Sequence, residues 1–382
     1  MSLGLIDSIS LFTLIQLLFL TVAILNYKKG KKPSNRLLAG FMASNALLIA
    51  HFLFARFGWI SQQKWIGLHS IGSSAYLLLM PFLYLYIKSL CFKDFRLKPV
   101  HLLHILPFFI FALFSMLVSF VNQNIGQTSV GSDLGGHLSS IEFWSYKIIM
   151  HIQILSYLVA TAAMLSNYRT QLRDMFSSIE KIDLLWCNLL LAGFTAMWCT
   201  DLLNWILTIF HASTPFISNG LLILSLLINL TFTLIVTYKG LAQSNSFSGI
   251  QTPSKYAASR LTPSNCDNIA ARLSAYMKSE KPYVDPSISL DTLSQKLNVS
   301  SKNLSQAMHS SLHQSFYDYI NTYRIEEIKK RMNDSKYQNL TLLALAYDTG
   351  FNSKSVFNAA FKKHAGMTPK EYKRRNSYPS NT

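Results

Sequence analysis

The chain has 382 residues, enough for two or three domains. Half of them are hydrophobic and only 14% are charged, against about 25% in soluble domains, which excludes an ordinary soluble globular protein and points to membrane segments. The net charge of +17 serves membrane topology, nucleic-acid binding or both, and the four cysteines (Cys91, Cys187, Cys199, Cys266) form neither a CxxC pair nor a zinc spacing, so no structural metal is expected.

Apolar runs of transmembrane length recur up to Tyr238. They predict seven helical spans near 4–27, 35–55, 67–90, 100–121, 143–166, 186–210 and 216–238. The first run has no basic segment before it and is followed by Lys28-Lys29-Gly30-Lys31-Lys32, so a cleavable signal peptide is not expected. Basic residues gather in alternate loops: Lys28 to Arg36 after the first span, Lys93, Arg96 and Lys98 after the third, Arg169, Arg173 and Lys181 after the fifth. The loop after the second span holds only Arg56 and Lys64, while the long loop Asn122–Glu142 and the short one His211–Pro215 hold no Lys or Arg. By the positive-inside rule the N-terminus is outside and everything after Tyr238 is cytoplasmic. Pro81 and Pro107 fall inside the third and fourth spans, where kinks are expected.

Several polar residues sit within the spans. Lys147 and His151 share one face of the fifth; Asp201, Asn204 and Trp205 share one face of the sixth, with Trp198 a turn earlier. An ionisable group at membrane depth is either a functional site or glue between helices. On the first reading Lys147, His151, Trp198, Asp201 and Trp205 sense a small-molecule or protein signal. Asn45, Asn188 and Asn229 read as glue.

From Lys239 to Cys266 the composition shifts to Ser, Gln, Asn, Thr, Pro and Gly, a flexible linker. A short amphipathic helix, Asp267 to Ser279, follows. Next, Leu290, Leu293 and Leu297 stripe a short helix, Asn298 sits at a turn, and Ser300 caps a second helix with Leu304 and Met308 inward. Its outward residues are Ser301, Lys302, Asn303, Ser305, Gln306 and His309. Residues 315–332 predict a longer helix through Phe316, Ile320, Tyr323 and Ile328. The pattern then repeats. Gly350 supplies a turn, Asn352 or Ser353 caps a helix, and Phe351, Phe357 and Phe361 point inward. Lys354, Ser355, Asn358, Lys362 and Lys363 are left outside. Thr368 and Pro369 open a last helix bearing Lys370, Lys373, Arg374 and Arg375. Two helices with amide and basic upper faces suit DNA major grooves, where Asn and Gln read adenine, Lys reads guanine, and any of them holds phosphate.

The run Gly350-Phe351-Asn352-Ser353, then Phe357-Asn358-x-x-Phe361-Lys362-Lys363, then Gly366-x-Thr368-Pro369 resembles the second helix-turn-helix of the AraC/XylS family of bacterial transcription regulators. The likeness extends upstream to about Asp267, roughly the last third of the chain, and Phe316, Tyr319, Ile320, Asn321 and Arg324 match the family's linker helix. It implies an all-α domain in which one monomer reads two successive major grooves. The sequence departs from the family at His313-Gln314-Ser315, where members usually place Gly before the Phe, and at Ala359, where many place Arg.

The expected architecture is therefore all-α. It has a seven-helix transmembrane bundle (1–238), a linker (239–266), a cytoplasmic double helix-turn-helix domain with a long linker helix (267–375) and a disordered tail (376–382). The expected function is a one-component regulator of a bacterial inner membrane, with the N-terminus outside. DNA contacts fall to Ser301, Lys302, Asn303, Gln306, His309, Lys354, Ser355, Asn358, Lys362, Lys363 and Arg374. Expected partners are promoter DNA, the lipid bilayer, a signal, a second copy of the chain and RNA polymerase. No cofactor is expected, and no phosphate loop or nucleophile–base constellation suggests an enzyme. Two alternatives remain for the membrane half: a transporter- or enzyme-like module, or a passive anchor that docks a partner sensor.

Overall fold

The computed structural model describes residues 4–27, 31–60, 65–124, 129–179, 185–243 and 261–377. The chain divides into two compact units, Met1–Leu165 with Leu184–Thr252, and Ser166–Asp183 with Pro253–Thr382. Among the described residues the secondary structure is helical apart from isolated bridge residues, among them the antiparallel pair Phe176 and Ser289.

The first unit is built from α1 (Leu5–Asn26), α2 (Lys32–Arg56), α3 (Ile66–Ser74), α4 (Tyr76–Cys91), α5 (Leu106–Asn124), α6 (Ser129–Met175), α7 (Leu185–Ile209) and α8 (Pro215–Gln243). Helix α6 runs on past Leu165 into the second unit. Among the described residues six helices are long and apolar enough to cross a membrane, and seven if the bent pair α3–α4 is one span. On α1 the buried face carries Asp7, Ser10 and Thr13 together with Leu17, Leu20 and Ile24, while Phe12, Ile15, Leu18, Phe19 and Val22 are exposed. Lipid as solvent explains this, because small polar residues let helices approach and apolar ones face the acyl chains. Asn45 of α2 and Asn229 of α8 exchange two buried amide hydrogen bonds of 2.9 and 3.0 Å.

Three local expectations change. The bend of the third span is 44° and falls between Ser74 and Tyr76, before Pro81. Pro81 lies within α4, and the carbonyl of Leu77, which it cannot reach with an N–H, accepts instead from Gln153 Nε2 at 3.1 Å. Pro107 does not kink a span. It sits in the first turn of α5, where no N–H is needed, after a 3-10 segment Pro99–Ile105. Of the loop expected at 122–142, Ser129 onward is already helical in α6, and residues 125–128 lie outside the described set.

The second unit contains α9 (Pro263–Ser279), α10 (Leu290–Lys296), α11 (Ser301–Ser311), α12 (Phe316–Met332), α13 (Leu342–Asp348), α14 (Lys354–Ala365) and α15 (Pro369–Ser377). Helix α9 starts before Asp267 because Thr262 and Pro263 form a natural helix entry. Most of the expected linker, residues 244–260, and the tail from 378 lie outside the described residues. Side-chain caps set the helix starts: Ser289, Ser300, Ser315, Thr341 and Ser353 each accept from an N–H three residues on. Each such cap contributes about 1 kcal/mol. Two cores lie along α12. Its first half joins Leu273, Leu293, Leu304 and Met308 through Phe316 and Ile320. Its second half joins Ala346, Phe351, Phe357 and Phe361 through Ile325 and Ile328.

Candidate nucleic-acid interface

Helices α10 and α11 form the first motif. Asn298 takes φ +53° in the turn, and the Val299 N–H closes it on the Ser294 carbonyl at 3.0 Å. Leu304, Ala307 and Met308 seal the inner face of α11. Lys302, Asn303 and Gln306 are half-buried, and His309 is exposed. Ser301 is used internally, donating to Asp291 Oδ1 at 2.5 Å and meeting Ser294 Oγ at 2.9 Å. His309 Nε2 lies 3.1 Å from Asp174 Oδ1, at the end of α6.

Helices α13 and α14 repeat the geometry. The Phe351 N–H closes the turn on the Ala346 carbonyl, again at 3.0 Å. This turn, Thr349–Ser353, is one residue longer than Leu297–Ser300. Gly350 has φ +96°, and a Cβ there would lie 2.6 Å from the Tyr283 carbonyl, so glycine is required on two grounds. Ser353, not Asn352, is the cap. Asn352 Nδ2 donates to Ser178 Oγ at 2.9 Å and to the Pro286 carbonyl at 3.3 Å. On α14, Lys354, Ser355, Asn358 and Lys362 are exposed. Lys363 is exposed too, but its ammonium is 2.6 Å from Asp318 of α12. Arg374 is exposed on α15, whose start is a reciprocal capping box between Thr368 and Glu371. The departure at His313 has a physical counterpart: it takes φ +52°, which glycine would adopt at less cost.

Arg324 organises these parts. It is 1% exposed, and its guanidinium donates to the carbonyls of Tyr283 (2.7 Å), Asp285 (3.0 Å) and Ser177 (3.4 Å). It also stacks over Phe351, 5.6 Å from the ring centre. The sequence placed Arg324 in a family motif but gave no sign of these partners, which come from distant segments. Beside it, Glu327 accepts from Arg331 at 3.1 Å, Tyr283 OH at 3.2 Å and Lys281 at 3.4 Å. Burial and the Glu327 carboxylate push the Tyr283 phenol up to about 12.

In the first unit the five residues singled out on α6 and α7 meet. Lys147 Nζ is 3.1 Å from Asp201 Oδ1, and His151 Nε2 is 3.9 Å from Asp201 Oδ2. Trp198 Nε1 donates to His151 Nδ1 at 2.9 Å, and the Trp205 ring lies 4.7 Å from the imidazole. Asn204 turns away, its Oδ1 accepting from Ser218. Among the described residues, no group of three or more His, Cys, Asp or Glu is placed to hold a metal ion.

Two capped helix-turn-helix motifs joined by one helix define a DNA-binding domain. Residues 293–375 match the family model described as a helix-turn-helix domain. An HTH-type transcriptional regulator of Staphylococcus aureus (strain COL) is 35% identical over 86 residues, 22% of this chain and 11% of the relative. An AraC-like transcription regulator of Streptomyces lividans is 28% identical over 81 residues, 21% of this chain and 26% of the relative. No solved structure matches the chain. The C-terminal part is thus an AraC-type helix-turn-helix domain, following a region of six or seven candidate membrane-spanning helices. The chain spans about a tenth of the length of the S. aureus relative, so the likeness concerns this domain alone.

Proposed function

We propose that the chain is a membrane-embedded transcription regulator that binds promoter DNA through both motifs and responds to a signal received by its helical first unit. The observation that carries this is the pairing, in one chain, of two capped DNA-reading motifs with six or seven candidate spans. On this reading the domains are 1–238, 239–266, 267–375 and the tail 376–382. The alternating basic loops support an N-terminus outside a bacterial inner membrane and a DNA-binding domain in the cytoplasm. A second copy of the chain and RNA polymerase are the protein partners.

Gln306 and Asn358 are the proposed base readers, with Lys302 and Lys354 beside them. Asn303, Ser355, Lys362 and Arg374 hold phosphate or bases. For Ser301, His309 and Lys363, DNA competes with the protein partner that each one has. The Lys147–His151–Asp201 cluster, with Trp198 and Trp205, is the proposed element that changes state with signal. Selection of binding sequences from a random DNA pool by the detergent-solubilised chain tests the reading. Gln306→Ala and Asn358→Ala should each cost about 1–3 kcal/mol and relax preference at one base position. If both leave affinity and preference intact, the assigned faces are wrong. A periplasm-active reporter fused after Asp133 should be active and one after Ser244 silent; the opposite pattern would sink the topology.

A further inference from the structure

We infer that the DNA-binding domain carries a receptor surface for the end of α6, and that this docked end, rather than the chain entering α9, brings the state of the first unit to both DNA-reading motifs. Residues 174–178 occupy the surface. The Phe176 backbone pairs with that of Ser289, the cap of α10. Ser177 is 1% exposed, and its Oγ donates to the Ile288 carbonyl at 2.8 Å. Its carbonyl and its Oγ accept from the Arg324 guanidinium of α12 at 3.4 and 3.3 Å. Ser178 Oγ accepts from Asn352, the residue before the cap of α14, at 2.9 Å. Asp174 Oδ1 lies 3.1 Å from His309 Nε2 of α11. One short strip thus touches both motifs and the helix that joins them.

The strip is built to leave. Its contacts are polar, and neither apolar core along α12 contains a residue of 166–183. Withdrawal keeps each core closed. It takes from Arg324 the two contacts to Ser177, and from the two motifs the strip they share. Reading two successive major grooves needs the recognition helices at a fixed separation, and freedom between them must be given up on binding. The docked strip is therefore the state with higher affinity for DNA.

The element that can move the strip is α6 itself. It is one helix from Ser129 to Met175. Lys147 and His151, which face Asp201 of α7, lie on it roughly seven turns before the strip. A helix passes rotation and translation along its length, because every turn is hydrogen-bonded to the next. The segment 239–266, rich in Ser, Gln, Asn and Gly, has the composition of a soft tether instead. A change in the Lys147–Asp201 pair therefore reaches DNA through α6, by shifting the balance between docked and undocked strip.

This deepens the regulator reading and rests on it, but docking is measured without DNA. Ser178→Cys and Asn352→Cys are placed together in the full chain in lipid nanodiscs, with the exposed native thiol removed by Cys199→Ser. Disulfide closure under a mild oxidant is followed by mass-tagging of the thiols that remain. The pair should close at least tenfold faster than the control pair Ser178→Cys with Asn358→Cys, further along α14. Asp201→Asn should slow closure at least threefold, whereas four Gly-Ser residues inserted after Gly249 should change it less than twofold. Lys147→Gln breaks the same ion pair and gives the same reading where Asp201→Asn fails to fold. With the bond closed, affinity for the selected DNA should stay within threefold of the reduced chain, and Asn352→Ala, which keeps both cores, should weaken it severalfold. Closure no faster than the control, or closure indifferent to both Asp201→Asn and Lys147→Gln, overturns the inference. So does DNA binding that is tenfold weaker with the bond closed, since the strip would then block DNA. Normal closure with its dependence on Asp201, but no sequence-specific DNA binding, would sink the regulator reading and leave the docking in place.

Discussion

Arg324→Ala is the sharpest test of how the second unit is held together. The wild-type guanidinium is fully buried and makes two short bonds, 2.7 Å to the Tyr283 carbonyl and 3.0 Å to the Asp285 carbonyl, with longer ones to Ser177. Hydrogen bonds from charged donors contribute about 1.5–3 kcal/mol each, and a buried carbonyl left alone costs about 1–3. Against this, removing a buried guanidinium relieves some of its desolvation. The net expectation is a loss of about 3–5 kcal/mol, a large share of the roughly 5–15 kcal/mol of a domain this size. Pulse proteolysis of the detergent-solubilised chain in urea reads the C-terminal unit separately from the membrane helices. With a slope near 1.5 kcal/mol per molar, the midpoint should fall by about 2–3 M. Arg324→Lys keeps the charge but cannot reach both carbonyls in one plane, and should fall by about half as much. A midpoint shift under about 0.5 M for Arg324→Ala would show that these bonds do not hold the fold, and the reasoning would be refuted.

Three further outcomes follow from single residues. Gly350→Ala should destabilise the second unit by about 2–3 kcal/mol, since it adds a close contact to a positive φ, whereas Gly366→Ala, at φ +71° with nothing within 4 Å, should cost only about 1; urea midpoints of the two variants check the ranking. Burial alone would raise Glu327, but the Arg331 hydrogen bond and the Lys281 and Arg331 charges hold its carboxyl below the usual range. Its stabilisation is therefore complete above the unfolded value of about 4.3 and lost as pH falls through the lower folded value, so Glu327→Gln should flatten the acid limb of a stability–pH curve below about pH 4.5. Asp174→Asn frees His309 from an acidic neighbour and should raise DNA affinity by about two- to fivefold at low salt, with less effect at high salt; a fall in affinity would mean that the pair positions α11 instead.

The candidate spans were legible because span length is a property of the local run: the predominantly apolar 22-residue α1 is long enough to span whatever it touches. The caps were legible for the same reason, and Ser300 and Thr368 sit where the reading put them. What the sequence hid was long-range. Nothing near Pro81 announces that Gln153 will satisfy Leu77. The start of α6 was misread because Ser129-Val130-Gly131-Ser132-Asp133 carries turn-forming residues, yet extending an existing helix costs far less than nucleating one. Asp174 and Ser177 were read only as part of a basic loop.

That short segment after α6 explains why the site needs an arginine. Phe176 bridges to the backbone of Ser289, the cap of α10, and Ser177 Oγ donates to the Ile288 carbonyl at 2.8 Å. Ser178 Oγ accepts from Asn352, the residue before the cap of α14. Three consecutive residues thus touch the entrance of both motifs, and Ser177 also meets Arg324, on the helix between them. The joint must gather carbonyls from residues 177, 283 and 285. An apolar side chain would leave them unpaired, and a lysine presents three donors from one point. A guanidinium spreads five donors in a plane, and its flat face still packs on Phe351. Any movement of residues 176–178 therefore breaks contacts to both motifs and to α12 together, so the two recognition helices share one mechanical restraint rather than two independent ones.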